Sequence, residues 1–183
     1  MSSCAHCNIG DEYRQELYEE YVYPNIPFIW DNSPLKCHFF KAPASTKYHG
    51  NHIGGLFDHS IAVMQELVNI TEKMELKWQR PESPYIVGFF HDLCKADSYF
   101  TEDEGQTFCH DDDTLLKGHG DKSVMLLSTL TRLTEEEIAC IRYHMGAFTD
   151  KGEWSDYTRA IHWYPNVLWT HTADMIATHV KNL

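Results

Sequence analysis

An all-α, single-domain helical bundle is the fold class that this sequence predicts, with room for one small β-hairpin around residues 98–110. Three observations predict it. The length of 183 residues is that of one ordinary globular domain, able to bury on the order of 70% of its unfolded surface. Hydrophobic residues make up 43% and charged residues 23%, which supplies a core and excludes intrinsic disorder. Most of the chain carries apolar residues at helical spacing, and no repeat, low-complexity tract or linker-like stretch divides it.

The elements follow in order. Asp11 to Tyr23 reads as an opening helix closed by Pro24 and Pro27. Pro43, Gly50, Gly54 and Gly55 make Lys41 to Gly55 a loop feeding the next helix. In that helix Leu56, His59, Val63, Leu67, Ile70 and Met74 advance by three or four residues, forming one inward stripe with His59 inside it. Pro84 opens a short helix through Tyr85 and Phe90 to His91, Asp92 and Leu93, too apolar to lie on the surface. Tyr99 to His110 alternates poorly around a turn at Glu104-Gly105, and is read as the hairpin. Asp121 starts a helix running through Val124, Leu127 and Leu130. Thr134-Glu135-Glu136-Glu137 is a capping box, in which the hydroxyl accepts from the Glu137 N–H while Glu137 reaches back. The helix it launches presents Ile138, Ile141 and Met145, with His144 beside them. Pro165 suits the first turn of the last helix, which carries Asp174.

Charge narrows the function. Lys plus Arg number 15 against 27 Asp plus Glu, a formal net charge of −12. No broad basic face is available, which argues against coating duplex nucleic acid or an anionic membrane. The N-terminus has no basic segment followed by an apolar stretch, so no signal peptide is read. The longest apolar run, Tyr85 to Phe90, is far short of the ~18 residues of a membrane span. Cysteines 4, 7, 37, 94, 109 and 140 are expected to be reduced thiols, and the protein cytoplasmic. Cys4 and Cys7, with Cys37-His38 downstream, form a weak candidate zinc site, set against a frayed terminus.

Twelve histidines are the compositional anomaly. His59, the pair His91-Asp92, His119, His144 and Asp174 each fall where a core residue is expected, on five segments distant in sequence. Any one alone reads as a hydrogen-bonded histidine or a cap. Together they would cost several kcal/mol each without partners, a cost that a divalent cation relieves because imidazoles and carboxylates are its ligands. His6, His38, His49, His162, His171 and His179 are read as structural, and His110 beside Asp111-Asp112-Asp113 as a solvated acidic loop.

The ordered set resembles the HD-domain metal-dependent phosphohydrolases. The stretches that carry the resemblance are Gly54-Gly-Leu-Phe-Asp-His59, Gly88-Phe-Phe-His-Asp-Leu-Cys-Lys95, Gly118-His-Gly-Asp-Lys122, Arg142-Tyr-His144 and Thr172-Ala-Asp174, spanning about residues 48–180. Residues 1–40 precede them as an N-terminal helical extension of the same 1–183 domain. The resemblance implies that His59, His91, Asp92 and Asp174 hold one metal, and that Asp92 bridges to a second held by His119 and His144. One or two divalent transition-metal ions are therefore expected, with iron, manganese, nickel, cobalt and zinc all compatible with mixed N/O ligation. Such an ion delivers hydroxide near neutral pH and draws charge from a phosphoryl oxygen. Asp92 and Lys95 are the expected catalytic residues, Lys95 standing three residues on as a point charge for a phosphate oxygen. Lys122 is a second candidate for substrate, and Asn51 and His52 are candidates at the pocket mouth. Arg142, two before His144, is expected to face away.

Within the family, the glycine loop and the insertion between Lys95 and His119 look most like the HD part of certain 3′→5′ exoribonucleases. The short N-terminal extension leaves no room for the oligonucleotide-binding barrel that usually precedes it there. A nucleotide or other small phosphate ester is thus the expected substrate. The alternatives are a non-catalytic, metal-containing nucleotide-binding module, and an RNA-processing exonuclease subunit lacking its own binding domain. One departure stands out: the family commonly has glycine where this chain has Cys94. A thiol there either packs or makes activity sensitive to oxidation.

Overall fold

Apolar spacing and its interruptions set the order of elements. The computed structural model describes residues 12–27, 35–47, 50–100, 107–111, 113–116 and 118–183. Helices α1 (Glu12–Leu17), α2 (Leu35–Phe39), α3 (Gly55–Lys73), α4 (Ser83–Phe90), α5 (Gly120–Ser128), α6 (Glu135–Arg142), α7 (Trp154–Trp163) and α8 (Asn166–His179) form the bundle. A π-helical turn, Tyr18–Val22, follows α1, and 3₁₀ turns occupy Leu93–Asp97, Gly146–Phe148 and Lys151–Glu153. Strands β1 (Tyr99–Phe100) and β2 (Cys109–His110) pair antiparallel, Tyr99 opposite His110, so the expected hairpin is present. The Cys4–Cys7 pair, Asp11, His6, His49 and the Glu104-Gly105 turn lie outside the described residues. Cys94, Cys109 and Cys140 are free thiols, whereas Cys37 is disulfide-bonded, which corrects the expectation of reduced thiols throughout.

The inward stripe of α3 holds through Leu67 and fails at its end: Met74 is exposed where the helix stops. Beneath α3 and α4 lies an aromatic block in which Phe40 stacks on Phe57 at 4.6 Å and Phe39 meets Phe89 at 5.0 Å. Each such ring contributes roughly 1.5–3 kcal/mol on burial. Gly88 lets α4 approach α3 closely, since a Cβ there would stand 2.5 Å from Met64 Cα. That crossing brings the C-terminal end of α4 beside His59.

The opposite end of the bundle is tied by two glutamates. On α6 Ile138 proves exposed, while Glu136 and Glu137 are buried. The capping box is present as expected, the Glu137 N–H donating to Thr134 Oγ1. The same Glu137 carboxylate accepts from Arg80 at 2.7 and 2.8 Å and from Ser83 Oγ at 2.8 Å. Glu136 accepts from the Gln79 N–H at 2.7 Å and from Asn166 Nδ2 at 2.9 Å. The N-termini of α4, α6 and α8 are thereby joined at Ser83, Glu136 and Asn166. Eight residues on from each, about 12 Å along a helix, stand His91, His144 and Asp174. Joining three starts in register places three candidate ligands at one level.

Candidate metal centre

Four histidines and two aspartates converge from five segments. His59 comes from within α3, His91 from the C-cap of α4 and Asp92 from the start of the 3₁₀ turn. His119 is the N-cap of α5, His144 follows α6, and Asp174 lies on α8. Gly120 makes the α5 approach possible, because a Cβ there would fall 2.1 Å from the Arg142 carbonyl oxygen. Neighbouring rings then lie in contact: His59–His91, His91–His144 and His119–His144 centroids are 5.2, 4.9 and 5.0 Å apart.

Three of the rings are fixed in the same way. Nδ1 of His91 donates to the Gly88 carbonyl at 2.9 Å, Nδ1 of His144 to Ile141 at 2.7 Å, and Nδ1 of His59 to the Leu183 main-chain oxygen at 2.9 Å. A carbonyl only accepts, so each Nδ1 carries a proton and the neutral ring keeps its lone pair on Nε2. Those Nε2 atoms face inward. His91 and His59 Nε2 are 3.3 Å apart, His59 Nε2 is 3.3 Å from Asp174 Oδ1, and His144 Nε2 is 3.3 Å from Asp92 Oδ1. Asp92 Oδ1 and His144 Nε2 are buried without a well-aligned hydrogen bond. Facing lone pairs repel, and unsatisfied buried acceptors are costly, so the donor set fits a cation. Three groups of ligand atoms lie within 4.8 Å of one another: His59, His91 and Asp174; His91, Asp92 and His144; Asp92, Cys94 and His119.

Without an ion, charge redistributes within the cluster. Burial opposes ionisation of Asp92, but Lys95, His91 and His119 beside it hold its carboxyl well below the ordinary range. Asp174 is held low as well, burial being overcome by His59, His91 and His144. Burial disfavours the charged form of His91, yet Asp92 and Asp174 raise its pKa. His119, buried but facing Asp92 and Cys94, is pushed up to about 10. His144 moves the other way, lowered by burial and by the charges of His91 and His119.

The cluster floors an open cavity of ≈720 Å³. His59, Asp92, Lys95, His119, His144 and Asp174 form its polar floor, and Met145, Phe148 and Met175 its apolar wall. The 3₁₀ turn after Asp92 matters here, because its three-residue repeat eclipses Lys95 over Asp92. Lys95 Nζ accordingly lies 2.5 Å from Asp92 Oδ2.

The other expected substrate contacts are not brought to the cavity. Lys122 is buried, its Nζ 2.6 Å from Asp97 Oδ1 and 3.0 Å from Ser98 Oγ, so it ties α5 to the 3₁₀ turn. His52 faces Asp58 at 3.9 Å, and Asn51 is exposed in the same loop, away from the lining residues. Arg142 faces away as expected, paired with Asp121 at 2.6 Å. Conversely, His179, expected to be structural, lines the cavity, as do Phe148, Thr178 and Asn182, which the sequence did not mark. Thr178 and His179 stand four and five residues beyond Asp174, a spacing that a broad cavity accommodates. His171 is structural, its Nδ1 donating to the His144 carbonyl at 2.8 Å.

No family model, curated protein or solved structure matches this chain. Among the described residues no helix is long and apolar enough to cross a membrane.

Proposed function

We propose that the chain is an HD-type, metal-dependent phosphohydrolase acting on a nucleotide or another small phosphate ester. The observation that carries this reading is the convergence of three imidazoles anchored by main-chain oxygens, Nε2 inward, on the carboxylate of Asp92 at the floor of an open cavity that also contains Lys95. By the family resemblance, His59, His91, Asp92 and Asp174 would hold one divalent transition-metal ion, and Asp92, His119 and His144 a second, with both His119 and His144 Nε2 within 3.3 Å of Asp92 Oδ1. When bound, such ions supply an activated water near neutral pH and draw charge from a phosphoryl oxygen.

The chain's own groups do the rest. Lys95, now occupied with Asp92, is the cation able to meet a phosphate oxygen once that carboxylate is committed elsewhere. Met145, Phe148 and Met175 offer an apolar wall to the organic part of the ester. The net charge of −12 disfavours a long polyanion across the surface but not a small phosphate inside a cavity where Lys95 and a bound metal would supply positive charge.

Metal analysis of the purified protein, followed by a panel of aryl phosphate esters and nucleotides, tests the reading. Wild type should contain transition metal and turn over at least one ester, and Asp92→Ala should abolish turnover while keeping its helical content. Undiminished hydrolysis by Asp92→Ala would overturn it. Metal-dependent melting and nucleotide binding with no turnover would favour the non-catalytic module instead.

A further inference from the structure

Three imidazoles of the cluster are fixed by main-chain oxygens; His119 is not. Its Nε2 lies 2.7 Å from Asp92 Oδ1, while its Nδ1 meets Cys94 Sγ at 3.2 Å. The sulfur stands where a main-chain oxygen stands for His59, His91 and His144. Cys94 itself is well placed, buried, with its backbone N–H donating to Ser123 Oγ at 3.0 Å. The contact joins the Leu93–Asp97 turn to the N-cap of α5, two elements that must keep register for His119 to reach Asp92. His119 is also the most open of the four rings, its side chain 36% exposed against 1% or less for the others.

We propose that Cys94 is a positioning residue for His119 and through it sets the affinity of the second metal position, formed by Asp92, His119 and His144. The inference rests on the metal-centre reading above. The outer partner of a ligating histidine fixes its tautomer and ring orientation, and its loss typically costs about 10–100-fold in metal affinity. Sulfur is a weaker hydrogen-bond partner than a carbonyl oxygen, so His119 is the least firmly held ligand and the second position fills after the first. Cys94 does lie within reach of an ion between Asp92 and His119. Direct ligation is disfavoured because Nδ1, not Nε2, faces the sulfur, and the two ring nitrogens point away from each other.

Cobalt(II) titration of metal-free wild type, Cys94→Ala and Cys94→Ser, followed by calorimetry and absorption, tests the inference. Wild type should take up two ions in separate events. Cys94→Ala should bind the first ion as wild type does, which shows that it folds, and bind the second about 10–100-fold more weakly. Cys94→Ser, whose hydroxyl can still partner Nδ1, should recover most of that loss. Equal second-ion affinity in wild type and Cys94→Ala overturns the inference while leaving the metal centre standing. So does a thiolate-to-cobalt charge-transfer band in wild type that disappears in Cys94→Ser, since Cys94 would then be a ligand itself. A wild type that takes only one ion overturns it as well. A wild type that binds no cobalt removes the metal-centre reading and this inference together.

Discussion

The two ends of the bundle bury similar chemistry and treat it differently. At the end where α4, α6 and α8 begin, Glu136 and Glu137 are buried, and their carboxylates are met by Arg80, Ser83, Gln79, Thr134 and Asn166. At the other end His59, His91, His144 and Asp92 are as deeply buried, yet Asp92 Oδ1 and His144 Nε2 face each other without an aligned hydrogen bond. One end is a closed polar network; at the other, Lys95 and His119 reach Asp92, yet Asp92 Oδ1 and His144 Nε2 keep no aligned hydrogen bond. Burial of ionisable groups therefore marks neither structure nor function by itself. Whether their hydrogen-bonding capacity is used up is what separates the two.

The largest effect expected is on the open end. Asp92→Asn keeps the shape of the side chain but removes the charge on which both proposed metal positions depend. Hydrolysis should fall by ~10³-fold or more, as several kcal/mol of transition-state stabilisation is lost. The metal-induced rise in melting temperature should vanish with it. Retention of both would show that the open end is merely another satisfied network.

Glu137→Ala attacks the closed end and should act on folding. It strands Arg80, Ser83 and the Thr134 N–H at once, and breaking a buried pair costs about 3–5 kcal/mol. Urea denaturation should show the same loss with and without saturating metal, because the ligands stay intact in the molecules that remain folded. A markedly larger loss in the presence of metal would mean that this end also sets ligand geometry.

The pH response should differ between metal-free and metal-loaded protein. In the metal-free cluster His91 and His119 have raised pKa values, so their contribution to stability is complete below about 6.5 and is lost as pH rises, toward about 10 for His119. Asp92 and Asp174, held low, contribute above the ordinary carboxylate value of 3.8 and lose that contribution as pH falls through their depressed values. His144, lowered, weakens the fold when the pH drops below about 6.5. Metal binding requires deprotonated imidazoles, so metal affinity should instead rise across the range in which metal-free stability declines. Thermal melts of both forms over that range check the divergence.

What was legible in the sequence was local. Helical stripes, the Pro84 start and the Thr134 capping box depend on neighbours within a turn and appear in the fold, apart from Met74 and Ile138, which their stripes leave exposed. Two of the histidine anchors are local too: His91 and His144 each donate to the carbonyl three residues back, at a helix end where carbonyls are left free. That spacing was a signal available in the sequence. Lys122 was misread because its partners, Asp97 and Ser98, approach only through packing of α5 on the preceding turn. Phe148 and His179 reach the cavity only because the 3₁₀ turn after Met145 and the end of α8 meet across it.

The smallest effect expected separates the ends most cleanly. Thr134→Ala removes one hydroxyl from the capping box, leaving the Glu137 N–H without that acceptor and the carboxylate still held by Arg80 and Ser83. The cost should be about 1 kcal/mol, read from the denaturation midpoint. His144 stands ten residues further on, anchored by its own bond to Ile141, so metal content and its affinity should not change. A drop in either would show that α6 transmits strain along its length, and that the register set by Glu136 and Glu137 directly controls how well His144 meets Asp92.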